Sequence, residues 1–138
     1  MGGMRKDETR AYLWVSGFGE DASIVTKMIG LEPTHIKVAG QPNPKHPKAA
    51  YRWHSWELHS SLPSSAHVDE QIEDLLRVLE PHAAAIKTAS ATFKAGISVA
   101  IYYYGDFMPG IHLSEHAINV IARMSLSIDF DLYFLKNA

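Results

Sequence analysis

Apolar and polar positions alternate with the period of a strand over residues 11–18, where Leu13 and Val15 face one way and Tyr12, Trp14 and Ser16 the other, until Gly17 and Gly19 end the run. The period then changes. Behind Asp21, a good cap residue, Ile24, Val25, Met28 and Ile29 recur on one helical face and stop at Gly30, which suits the left-handed position just past a helix end. Residues 35–39 predict a brief edge strand, closed by Gly40. Pro42, Pro44 and Pro47 then predict an irregular loop, because each proline removes a backbone donor and restricts the residue before it. This loop feeds an aromatic strand over residues 51–61, with Tyr51, Trp53, Ser55 and Glu57 on one side and Arg52, His54, Trp56 and Leu58 on the other. Neither side is purely apolar, so a bulge, a covered second face or a ligand is expected there.

Leu62, Pro63, Ser64 and Ser65 break the chain and offer a cap. Val68, Ile72, Leu75, Leu76 and Leu79 form the cleanest helical stripe, with Asp69, Glu70 and Glu73 in the early turns that the helix dipole favours for acids. Pro81 interrupts this helix and opens a second, alanine-rich piece over residues 82–88. Residues 92–104 return to strand alternation, Ile97, Val99, Ile101 and Tyr103 against Ser98, Ala100, Tyr102 and Tyr104, with Gly96 marking a bend. A loop over residues 105–110 carries Asp106, Phe107 and Pro109. Ser114 then caps a helix whose inward stripe reads Ala117, Ile118, Ile121 and Met124. Residues 126–135 form the last strand, with Leu126, Ile128, Phe130, Leu132 and Phe134 opposite Ser127, Asp129 and Asp131. Such clean alternation leaves one face solvated or polar-lined, which favours an antiparallel or mixed sheet.

In order, these elements predict an α+β fold: a ferredoxin-like sandwich, with a four-stranded, mainly antiparallel sheet and helices on one face. An alternative topology adds the edge strand at residues 35–39 as a fifth. The first and last thirds repeat one pattern of strand, glycine, loop, capped helix and strand. Residues 11–138 make one domain, and residues 1–10 read as a frayed or cloning-derived N-terminus.

Composition narrows the class. The chain of 138 residues is long enough for an unstapled core, and 46% hydrophobic with 20% charged residues is ordinary for a globular protein, so disorder is not favoured. The absence of cysteine excludes disulfides, thiolate metal sites and a cysteine nucleophile, and fits a reducing, cytoplasmic setting. A formal net charge of -2 offers no basic footprint, so nucleic acid is not an expected partner. No apolar run approaches the roughly eighteen residues of a membrane span, so none is expected with the bilayer either.

Gly30, Leu31, Glu32, Pro33 and Thr34, the later Gly40, the strand with Trp56, Glu57 and Leu58, the acidic-apolar long helix and the closing pattern of glycine loop, Leu113, Ser114, helix and strand resemble the bacterial domain-of-unknown-function family DUF4279. The resemblance covers residues 12–134. It implies a small bacterial single-domain protein and brings no catalytic residues to carry over. Gly30, Pro33 and Gly40 map onto it as turn-makers and Trp56 as the strand tryptophan.

The candidate chemistry is sparse. His112 and His116 have metal-ligand spacing but lack a third ligand, so no metal or other cofactor is assigned. Asp129 and Asp131 share a strand face about 7 Å apart, which is compatible with an acid-base pair but is commoner on a solvated strand face, where such acids also guard a sheet edge. With Tyr102 and Tyr104 they make a candidate interaction surface. Arg52, Trp53, His54 and Trp56 make a candidate ligand-binding group beside the loop at residues 41–50, where Arg52 orients an anion, while aromatic pairs in small sheets are usually core and Trp56 as plain core is the leading reading. No phosphate loop, nucleophile elbow or metalloprotease motif is present. The expectation is a non-enzymatic binding module that recognises a protein partner or a second copy of itself, with an immunity-type protein as one version. A small-molecule-binding or hydrolytic pocket beside residues 51–61 is the alternative.

Overall fold

The strand alternation around Leu13 is realised as β1 (Glu8–Ser16), whose Ala11, Leu13 and Val15 are buried while the residues between them are not. The computed structural model describes residues 6–44, 46–106 and 110–135, so residues 1–5, residue 45 in the proline-rich segment, residues 107–109 of the loop at 105–110 and the last three residues lie outside the description. After β1 come α1 (Ser23–Ile29), β2 (His35–Lys37), β3 (Pro42–Asn43), β4 (His46–Ala50), β5 (Ser55–His59), α2 (Val68–Leu79), a 3-10 turn (Glu80–His82), α3 (Ala83–Thr92), β6 (Lys94–Tyr103), α4 (Glu115–Arg123) and β7 (Ile128–Phe134). No helix among the described residues is long and apolar enough to cross a membrane.

One mixed sheet runs β2-β5-β1-β6-β7. β1 lies at its centre, antiparallel to β5 and β6; β2 is antiparallel to β5, and β7 is parallel to β6. The protein is therefore α+β with a five-stranded mixed main sheet, where the sequence led to four mainly antiparallel strands and kept the edge strand near His35 as an alternative fifth. β7 is parallel for a mechanical reason: α4 carries the chain back across the sheet, so the strand after it starts again at the same end as β6.

Inward-facing positions match across the strands, Leu13 with Leu58 and Ile97, Val15 with Trp56, and Val99 with Phe130. The helices bury their stripes against this face. Val68, Ile72, Leu75, Leu76 and Leu79 of α2 are all buried, and Ile86 and Ala89 of α3 join them. In α4 the buried residues are Ala117, Val120 and Ile121, with Met124 just after it, whereas Ile118 is 55% exposed. Counting by three and four from Ala117 gives Val120, Ile121 and Met124, so Ile118, expected inward, lies on the outer side of the helix. Gln71 is buried because its amide donates to the carbonyls of Thr9 and Pro63, at 2.8 and 3.1 Å.

Local signals are realised with some changes. Gly30 holds φ 83°, and its N–H closes α1 on the carbonyl of Thr26. Ser114 Oγ accepts from the Ala117 N–H, whereas α2 is capped by His67, whose Nδ1 accepts from the Asp69 N–H, rather than by the serines before it. Asp21 reaches the N–H and hydroxyl of Ser23. Gly96 makes room rather than a bend: a Cβ there would lie 2.9 Å from Cζ2 of Trp14.

Several boundaries differ from the sequence reading, among them α3, which runs to Thr92 rather than residue 88, and β7, which starts at Ile128 rather than residue 126. β1 begins at Glu8, because the long β6 supplies Tyr102, Ile101 and Ala100 as partners for Glu8, Thr9 and Arg10. The proline-rich segment is a small ribbon, β3 paired with β4, closed by the Tyr51 N–H on the Gln41 carbonyl and the Gly40 N–H on that of Tyr51. Prolines are tolerated there because half the donors of a two-stranded ribbon face outward. The aromatic run is regular only from Ser55 onward, after a bend at Arg52 and Trp53.

Candidate functional site on the open sheet face

The second face of the sheet carries the alternate positions: Lys37 and His35 of β2, Ser55, Glu57 and His59 of β5, Arg10, Tyr12 and Trp14 of β1, Ser98, Ala100 and Tyr102 of β6, and Asp129, Asp131 and Tyr133 of β7. A cleft of about 560 Å³ opens on it. Its lining includes Arg10, Tyr12, Ala100 and Tyr102 from the central strands, Lys37, Glu57 and His59 from the β2 side, and Asn43, Pro44 and Tyr51 from the ribbon.

Glu57 organises one end of this cleft. Although it points away from the apolar core, it is only 4% exposed. Lys37 Nζ donates to Oε2 at 2.8 Å and His59 Nε2 to Oε1 at 2.9 Å. Burial by itself would push the Glu57 carboxyl up; the hydrogen bonds from His59 and Lys37 and their charges outweigh it and hold the group below its ordinary value. Lys37 is the converse case. Burial would lower it, and the Glu57 hydrogen bond and charge prevail, so the ammonium is held above its ordinary value. Glu57 is thus a committed carboxylate rather than a free base, and Lys37 a committed cation.

Aromatic rings extend the site. Tyr12 stacks on His59 with centroids 4.5 Å apart, and burial followed by the nearby Glu57 charge raises its phenol. Lys37 Nζ sits 5.6 Å from the centroid of Tyr51, a cation-π contact that ties the ribbon to the sheet. Toward β7, Tyr102 stacks on Tyr133 at 4.8 Å. Below the cleft, Asp74 accepts from the Ser60 hydroxyl and the Ser61 N–H, both at 2.8 Å, pinning the turn after β5 to α2.

The residues singled out in the sequence are distributed differently. Trp56 is fully buried on the helix face, its indole N–H donating to Thr26 Oγ1 at 3.0 Å. His54 precedes β5, and its Nδ1 accepts from the Ala39 N–H. Arg52 is exposed, and Trp53 is 64% exposed. None of these four lines the cleft, although their neighbours Tyr51, Glu57 and His59 do. Tyr102 lines it, and Asp129 and Asp131 are exposed on the same face of β7. Tyr104 lies past the end of β6, where its N–H donates to Asp7 Oδ1. His116 pairs with Glu80, and the His112 N–H donates to Asp69.

Sequence reasoning passed over Lys37, Glu57 and Tyr12. The available signal was parity. Glu57 stands between Trp56 and Leu58, and a carboxylate flanked by two core residues must face the other side of the sheet.

A family model described as a domain of unknown function (DUF4279) matches residues 7–135, and the chain belongs to that family. No curated protein and no solved structure matches it.

Proposed function

We propose that this DUF4279 protein is a non-enzymatic binding module that recognises a protein partner across the open face of its sheet. One observation carries the reading: a cleft of about 560 Å³ whose lining includes Tyr12, Tyr51, Tyr102 and Arg10 from the second face of the sheet and its ribbon. Tyrosine and arginine at the rim of a concave patch are the residues that dominate protein interfaces. The ionisable centre supports binding over catalysis. Glu57 already spends both oxygens on Lys37 and His59 and lies below its ordinary value, away from the range of a general base that works near neutrality. We further read the strands β2, β5, β1 and β6 as a ferredoxin-like unit to which β7 is added, and the molecule as a cytoplasmic, bacterial, immunity-type protein; its size and lack of cysteine support this version.

A photo-crosslinking side chain placed at Tyr102, and at Lys87 on the exposed side of α3 as a control, tests the reading in an extract of the native host. A discrete adduct from position 102 and none from 87 is expected. Adducts from both positions, or from neither, overturn it.

The cleft volume favours a second reading, because it falls in the range of about 300–1,000 Å³ typical of small-molecule sites. In that case a metabolite present at a hundred times its dissociation constant raises stability by about 2.7 kcal/mol, seen as a higher Tm. The Tyr102→Ala variant loses the shift.

A further inference from the structure

We propose that β7 is a pairing edge for a second copy of this chain, the two β7 strands meeting antiparallel about a two-fold axis at Leu132 and joining two sheets into one. This surface is separate from the cleft, so the proposal does not rest on the function proposed above.

The two edges of the sheet are built differently. β2 is three residues long, and its Lys37 is committed to Glu57. A short edge strand leaves little to pair with. β7 has seven residues and no proline. Its second half is apolar and uncovered: Leu132 is 41% exposed, Tyr133 45%, Phe134 67% and Leu135, the next residue, 38%. Asp129 and Asp131 guard only the first half. A long edge with an unguarded aromatic end is the kind that pairs with another strand.

Charge and register identify the occupant. The Leu135 N–H donates inward to the Tyr103 carbonyl. By alternation, the N–H and C=O of Phe130, Leu132 and Phe134 point outward. An isologous edge must be complementary to itself. With Leu132 on the axis, Phe130 meets Phe134, Asp131 meets Tyr133 and Asp129 meets Leu135, so no carboxylate opposes another and the three outward backbone pairs all close. Centring on Asp131 sets the two Asp131 carboxylates side by side, and centring on Phe130 opposes Asp129 with Asp131 twice, both unfavourable. Centring on Tyr133 shortens the ladder. Leu132 therefore gives the longest pairing free of apposed charge.

The chain has no cysteine, which makes the register directly testable. Leu132→Cys places two thiols on the axis at a Cα separation of about 5.5 Å, within disulfide reach. Leu135→Cys places its pair far from each other, and Ile118→Cys on α4 reports on association through the helices. Expected is a two-chain mass in sedimentation equilibrium, rapid oxidative crosslinking of Leu132→Cys alone, and conversion to single chains by Leu132→Lys with an unchanged far-ultraviolet spectrum. A monomer at every loading concentration overturns the proposal, and this is also the result if the edge serves a different protein. A dimer in which Ile118→Cys or Leu135→Cys crosslinks preferentially overturns it as well.

Discussion

The two faces of the sheet are made from the same strands, residue by residue, and follow different rules. On the helix side Leu13, Val15, Trp56, Ile97 and Val99 are fully buried and touch other apolar groups. On the open side Glu57 is nearly as buried, yet it is held by two ion-pairing hydrogen bonds and bordered by tyrosines. Burial is thus not confined to the core. What separates the faces is how burial is compensated: by dispersion and desolvation of apolar surface on one, by satisfied polar contacts on the other.

The largest effect that would test this contrast is Trp56→Ala. It removes the largest fully buried side chain and leaves the Thr26 hydroxyl without its indole donor. A loss of about 3–5 kcal/mol is expected in denaturant unfolding. A loss below about 1 kcal/mol would mean that the helix face is not a close-packed core.

Glu57→Gln probes the other face and is expected to cost about 2–3 kcal/mol, because Lys37 and His59 lose their charged acceptor. Its pH signature is more specific. The folded carboxyl lies below its ordinary value of 4.5, so its contribution is present above that value and is lost as pH falls through the lower, folded one. The variant should therefore show a shallower fall in stability on acidification than the parent protein. The slope that remains belongs in part to Asp74, which burial would raise and the Ser60 and Ser61 hydrogen bonds hold low. Identical acid slopes would remove Glu57 from this account.

Gly96→Ala sits where the faces are sharpest. The new methyl meets Cζ2 of Trp14 at 2.9 Å and must push the indole aside. About 1–2 kcal/mol is expected, together with a change in tryptophan emission. The smallest effect belongs to Trp53→Ala. Trp53 is 64% exposed, so its loss should stay within about 0.5 kcal/mol. Measured beside Trp56→Ala, it contrasts an exposed tryptophan with a buried, hydrogen-bonded one three residues away.

Much of the local structure was legible in the sequence, because its causes lie within a few residues. The stripe from Val68 to Leu79 specified α2, Gly30 specified the end of α1, and Pro81 produced the 3-10 turn between α2 and α3. Family membership was legible too, since short turn and strand motifs carried it from end to end. Errors appeared where a local signal had a partner elsewhere. The prolines suggested irregular chain, and pairing between β3 and β4 made it a ribbon. The aromatic density at residues 51–56 left open a ligand group or a core Trp56; the bend before Ser55 separates Arg52 and Trp53 from the strand, and Trp56 is buried as the core reading has it.

By itself, then, the sequence determined the helices, the α+β class and the alternation along β1, β6 and β7, all consequences of period and of residues near in the chain. Only the tertiary structure decided the order of the strands, the parallel pairing of β7 and the site. The convergence of Lys37 with Glu57 and of Tyr12 with His59 depends on which strands lie side by side. That order follows from how the helices cross the sheet, a long-range packing outcome that no residue encodes alone.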